Sequence, residues 1–142
     1  MRLTLALAIA AVVACGCSYS STPENASSIQ GTWRVAEVPG VLLPAECQNM
    51  GYEITASVIT MHSGELTISA SYRAERAGEG FVLRQYSFTD NGHPNCQGVS
   101  ADYVKSHYLR DIDVDLVGDR LRVYIPKRSS NRYADFVRSS PL

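Results

Sequence analysis

The chain has 142 residues, of which 45% are hydrophobic and 19% charged, with a formal charge of -1. That length holds one compact domain and excludes two, the near-zero charge excludes a protein that wraps nucleic acid, and the apolar content excludes a disordered segment.

Charge and apolarity are unevenly spread, and the first fourteen residues carry a single charged group, Arg2. Leu3 to Val13 form an apolar run rich in Ala, Leu and Val, too short for the roughly 20 residues that span a bilayer but of signal-peptide length. It ends in Val12-Val13-Ala14-Cys15, and this order of charge, apolar run, small residues and cysteine resembles a bacterial lipobox. The resemblance implies cleavage after residue 14, a lipid anchor on Cys15, and, because Gly16 follows it instead of Asp, residence at the outer membrane, facing the periplasm. Cys17 is the alternative lipidation site, although no branched apolar residue stands three positions before it. Residues 15–30 then read as an anchor and a flexible polar tether, Ser18 to Gln30 reaching roughly 20 Å. The domain proper is expected over residues 31–142.

From Gly31 the apolar pattern has a period of two, which predicts strands. Thr32 to Val38 is the first, ended by Pro39-Gly40. A hairpin is expected between Ser57–His62 and Glu65–Arg76 about a Ser63-Gly64 turn, with Met61 facing Leu66 and Ile59 facing Ile68. Phe81 to Thr89 is a further strand, Asp90 to Asn95 a loop, and Ser100 to His107 a short helix with Ser100 as its N-cap. The last hairpin joins Asp111–Val117 to Arg120–Ile125 through Gly118-Asp119, pairing Leu116 with Leu121 and Val114 with Val123. Weak helical character around Tyr133 to Arg138 suggests a C-terminal segment that caps an open end. Strands joined mostly by hairpins predict an all-β fold, a small antiparallel meander barrel or half-barrel of about six to eight strands.

Gly31-Thr32-Trp33, at the start of the first strand, resembles the G-x-W signature of lipocalin-like barrels. The resemblance implies that Trp33, the sole tryptophan, plugs one end of the barrel beneath an arginine of the last strands, Arg120 or Arg122. The second motif of that family, Thr-Asp-Tyr, survives only as Thr89-Asp90-Asn91.

Cys47 and Cys96 lie in polar, loop-like surroundings of an oxidising compartment, which points to a disulfide between them. A metal site from Cys47, His93, Cys96 and His107 is the competing reading, but it lacks the paired C-x-x-C knuckles of a zinc site. Asp111, Asp113 and Asp115 share one strand face and read as a solvated acidic face, with Asp115 opposite Arg122, not as a converging calcium loop. Neither a Gly-x-Ser-x-Gly turn nor a cysteine with a histidine base is present, so no catalytic residue, metal or cofactor is assigned. Lys127, Arg128, Arg132 and Arg138, interleaved with aromatics, form a basic surface suited to an acidic protein or glycolipid. The reading is a lipid-anchored, non-catalytic envelope protein that binds a small apolar ligand or a protein partner. The alternative is an inhibitor or protective factor against a hydrolase, similar in design to the lysozyme-inhibitor lipoproteins.

Overall fold

The structure, a computed structural model, describes residues 26–140. Cys15, Cys17 and the signal-like segment lie outside these residues. Eight strands follow in chain order: β1 Gly31–Glu37, β2 Gly51–Ile54, β3 Val58–Ser63, β4 Leu66–Ala77, β5 Gly80–Asp90, β6 Asp111–Val117, β7 Arg120–Tyr124 and β8 Tyr133–Arg138. Each pairs antiparallel with the next, and β8 pairs with β1 to close the barrel. One helix, α1 Ala101–Tyr108, stands between β5 and β6, and the Ser100 hydroxyl caps it by accepting the Tyr103 amide.

Buried and more exposed side chains alternate along β4, β6 and β7, as a half-buried ladder requires. Trp33, Ile59, Ile68, Leu83, Val114, Leu121, Val123 and Phe136 meet in one buried cluster that fills the barrel. The β6–β7 register is as expected, with Leu116 opposite Leu121 and Asp115 opposite Arg122. In the first hairpin the turn lies one residue later than expected, so Ile59 faces Ala70 and Met61 faces Ile68. Gly64 takes φ +64° at the first central position, where a II′-type turn needs a positive φ; Ser63 at that place would be strained. Since the shift moves each partner by two residues, the same side chains still face inward.

Three further expectations are corrected. Residues 133–138 form β8 rather than a helical cap, because Ala134 and Phe136 alternate inward while Asp135 points outward, a period of two within a short run. Gly51–Ile54, not anticipated as a strand, is only four residues long but places Tyr52 and Ile54 in the ladder. The last residues of the supposed tether are folded: Ala26–Ile29 make one 3₁₀ turn whose Ala26 and Ile29 are buried in the core cluster.

That turn builds the plug at one pole of the barrel. The Trp33 indole N–H donates to the Ile29 carbonyl at 2.8 Å, and the ring is fully buried. Arg138, not Arg120 or Arg122, lies over it at 4.3 Å and donates to the carbonyls of Gln30 and Ser28 at 2.8 and 2.7 Å. Gly31 has φ +131°, and a Cβ there would stand 2.6 Å from the Arg138 guanidinium. The glycine two residues before the tryptophan thus leaves room for the arginine that covers it.

The opposite pole carries the longer connections. The β1–β2 loop, which ends in the 3₁₀ turn Ala45–Cys47, is joined to the segment before α1 by the Cys47–Cys96 disulfide. Between its fixed ends the loop projects Leu42, 97% exposed.

Two stability measurements check these constraints. Reduction, or replacement of both Cys47 and Cys96 by Ala, opens a loop of 49 residues and is expected to lower unfolding free energy in urea by up to about 4 kcal/mol; an unchanged midpoint would show that the bridge constrains little. Gly31→Ala, which brings both a strained φ and a collision with Arg138, is expected to cost about 1–3 kcal/mol in the same assay.

Candidate functional site

The basic C-terminal stretch is mostly consumed by the fold. On the outer wall Arg122 forms two bonds to Asp135, 2.8 and 3.0 Å, and stacks over Tyr133 at 3.8 Å. The carboxylate, only 5% exposed as a residue, raises the Arg122 guanidinium pKa through that hydrogen bond. Arg122 therefore does not neutralise Asp115, as the register had suggested. Arg128 does so instead, at 2.6 Å, and its backbone amide donates to Asp113 at 2.7 Å. Tyr124 donates to Asp115 at 2.7 Å, which raises the phenol pKa. Arg120 reaches Glu37 at 3.7 Å, and Arg138 is held at the plug. Of the expected basic surface, Lys127 and Arg132 are exposed with neither a carboxylate nor a carbonyl partner for their side chains among the described residues, whereas the exposed Arg138 is bonded to backbone carbonyls. Arg132 borders a shallow recess of about 130 Å³ with Val38, Val41, Ile125 and Tyr133.

The cysteines and histidines do not assemble a metal site: both thiols are in the disulfide, His93 sits 3.4 Å from Glu65, and His107 lies against Tyr103 on α1. Among the described residues no group of three or more His, Cys, Asp or Glu side chains is placed to hold a metal ion.

An open recess lies against β4, β5 and the start of β6. Midway along β5, Ser87 and Phe88 both stand opposite Ala70 of β4, a bulge with Ser87 at φ +56°. On its other side β5 pairs with β6 only from Phe81 to Arg84, and a last backbone bond joins the Gln85 amide to the Arg110 carbonyl at 2.8 Å. Beyond that bond β5 has no β6 partner, and the recess, of about 720 Å³, is within the usual range of ligand sites.

Arg73, Arg84 and Arg110 line it with Glu75, Asp111, Gln85, Tyr86 and Phe88. Arg73 and Arg84 are direct cross-strand partners, an arrangement of like charges that weakens a sheet. Arg84 is fixed by Glu75 at 2.8 Å and Asp111 at 3.3 Å, and these bonds raise its pKa, Glu75 first. Arg73 lies over the Tyr86 ring at 5.8 Å. Neither Arg73 nor Arg110 has a carboxylate partner among the described residues, so the recess holds one positive charge in excess. Tyr86 is 46% exposed, and the Gln85 side-chain nitrogen is buried with no hydrogen-bond partner. Nothing in the sequence marked these positions, because Arg73 and Arg84 are eleven residues apart and their meeting depends on the β4–β5 register.

Helix α1 is tied to the end of β5. Lys105 bonds Asp90, the last residue of β5, at 2.6 Å; this bond, then that from the Gly92 amide, holds the Asp90 carboxyl below its ordinary pKa. The link contributes above the ordinary carboxylate range and weakens as pH falls through it. No family model matches the sequence, and neither a curated protein nor a solved structure matches it.

Arg122→Ala, which strands the buried Asp135, is expected to destabilise the fold by about 2 kcal/mol, whereas Arg132→Ala leaves the urea midpoint unchanged. Equal effects would mean that the outer-wall pair is not a structural bond.

Proposed function

We propose that this chain is a lipid-anchored, non-catalytic envelope protein whose barrel is a rigid frame for binding an acidic ligand in the recess between β5 and β6. The observation that carries the reading is the convergence of three guanidinium groups around two carboxylates in an open recess partly walled by aromatic rings. Arginine forks suit planar anions such as carboxylates and phosphates. With Arg84 held by Glu75 and Asp111, Arg73 and Arg110 are the two side chains left to close on an anion, while Tyr86 and Phe88 cover its apolar part. The barrel interior, filled by Trp33, Ile59, Ile68 and Val123, favours this flank over an internal apolar ligand.

The resemblance to lipocalin-like barrels is supported by the eight-stranded meander and by the position of Gly31 and Trp33 at the plug. On the lipobox reading, Cys15 carries the anchor and Cys17 is its alternative, at the outer membrane. The chain enters the barrel at the plug pole, and the recess lies on the flank.

Calorimetric titration of the detergent-solubilised full-length protein with inorganic pyrophosphate tests the site. One saturable site is expected, weakened at least about tenfold when salt rises from about 0.05 to about 0.5 M and lost in the Arg73→Ala/Arg110→Ala double variant. An identical isotherm in the double variant would remove the recess as the binding site.

A further inference from the structure

We infer that the β1–β2 loop is a membrane-contacting tip, its apolar end entering the surface of an anionic phospholipid bilayer while Lys127 and Arg132 of the neighbouring loop meet the headgroups. The inference uses none of the residues of the recess and does not rest on it. Val38 to Ala45 read VPGVLLPA, a connection without one polar side chain, where loops ordinarily carry polar residues. Leu42 is 97% exposed and Val41 52%, with Pro39, Gly40, Pro44 and Ala45 exposed beside them. A single exposed leucine is ordinary. A whole apolar connection held out from the barrel is not.

The tip is held in shape from both sides. Pro39 and Gly40 form the centre of a turn in which the Val41 amide donates to the Val38 carbonyl at 3.0 Å, and Gly40 takes φ +76°, as the third position of a type II turn requires. On the other side the Cys47 amide donates to the Pro44 carbonyl at 2.9 Å, and the disulfide to Cys96 fixes that end. Leu42 is thereby kept from folding back on the core, and a contact made by the tip costs little ordering. Pro39 and Pro44 have no amide hydrogen and the Val41 amide is already bonded, so few donors lose water when the tip enters a bilayer surface.

The neighbouring loop supplies the charge. β8 pairs with β1, which sets residues 125–132 beside the tip, and Val38, Pro39 and Val41 share one recess with Ile125 and Arg132. Lys127 and Arg132 are exposed, whereas Arg128 is held by Asp115. Glu46, beside the disulfide, is the one carboxylate in residues 38–50 and 125–132. An apolar tip bordered by free cations matches a bilayer with anionic headgroups, whose interior takes the leucine while its phosphates take the cations. A protein pocket for Leu42 would account for the leucine but not for the cations, and in a tip-to-tip pair of this chain Lys127 and Arg132 would meet like charge.

The test reconstitutes the full-length Leu42→Trp protein into vesicles of brominated phosphatidylcholine, alone or mixed equally with brominated phosphatidylglycerol. Trp33 is buried at the opposite pole, so a change in emission reports the added indole and not attachment through the N-terminus. A blue shift with quenching is expected in the mixed vesicles only, lost in the Lys127→Ala/Arg132→Ala background and when salt rises to about 0.5 M, and kept in the Arg73→Ala/Arg110→Ala background. In the wild-type protein the mixed vesicles are expected to slow hydrogen exchange at the Leu42 and Leu43 amides, and Leu42→Asp to abolish that slowing without moving the thermal midpoint. An indole left unquenched in the mixed vesicles would give the tip to a protein pocket and overturn the inference. Equal quenching in both vesicles, or loss in the Arg73/Arg110 background, would overturn it too. Exchange at Leu42 and Leu43 that slows with protein concentration in the absence of anionic lipid would make a second copy the occupant, with the same result.

Discussion

Closure of the barrel depends on one contact between the two ends of the described chain. Arg138, the last residue of β8, lies over Trp33 of β1 and bonds the backbone that precedes β1. The same few atoms therefore bury the sole tryptophan, satisfy carbonyls of the Ala26–Ile29 turn, and hold the first strand to the last. A cation over an indole face gains from the ring quadrupole, and here the gain is tied to ladder hydrogen bonds that no other strand could supply. Every other strand pair is joined by a connection along the chain; β1 and β8 are joined only by side chains and their ladder.

Much of the architecture was legible because hairpin meanders are local. Gly118-Asp119 and the alternation of Ile112, Val114 and Leu116 fix the β6–β7 register, and Ser100 marks the start of α1 through a cap that needs only three residues of context. What escaped was non-local. Tyr133 to Arg138 is too short for its pattern to separate strand from helix by itself, and its status as β8 follows from having β1 and β7 as neighbours. Likewise the partner of Trp33 could not be chosen between arginines without knowing which strand closes the barrel.

Charge was misleading for a related reason. The basic stretch after Gly118 looks like a surface waiting for a partner, yet Arg122, Arg128 and Arg138 each have internal bonds made across strands or to backbone carbonyls. The surplus lies elsewhere, on β4, β5 and the entry to β6, where neither local density nor spacing reveals it. Arg84 is bound on both sides and keeps its neighbours from neutralising Arg73 and Arg110, so the unsatisfied charge results from how the carboxylates are divided.

The bulge at Ser87 gives this small barrel a way to diversify that its core does not. A closed barrel filled by large side chains cannot enlarge its interior without losing packing. One extra residue in β5, by contrast, shifts the β4–β5 register beside the recess, and the ladder resumes beyond it without repacking the cluster around Trp33. An insertion or deletion in one outer-wall strand can thus reshape the flank while the filled core stays as it is.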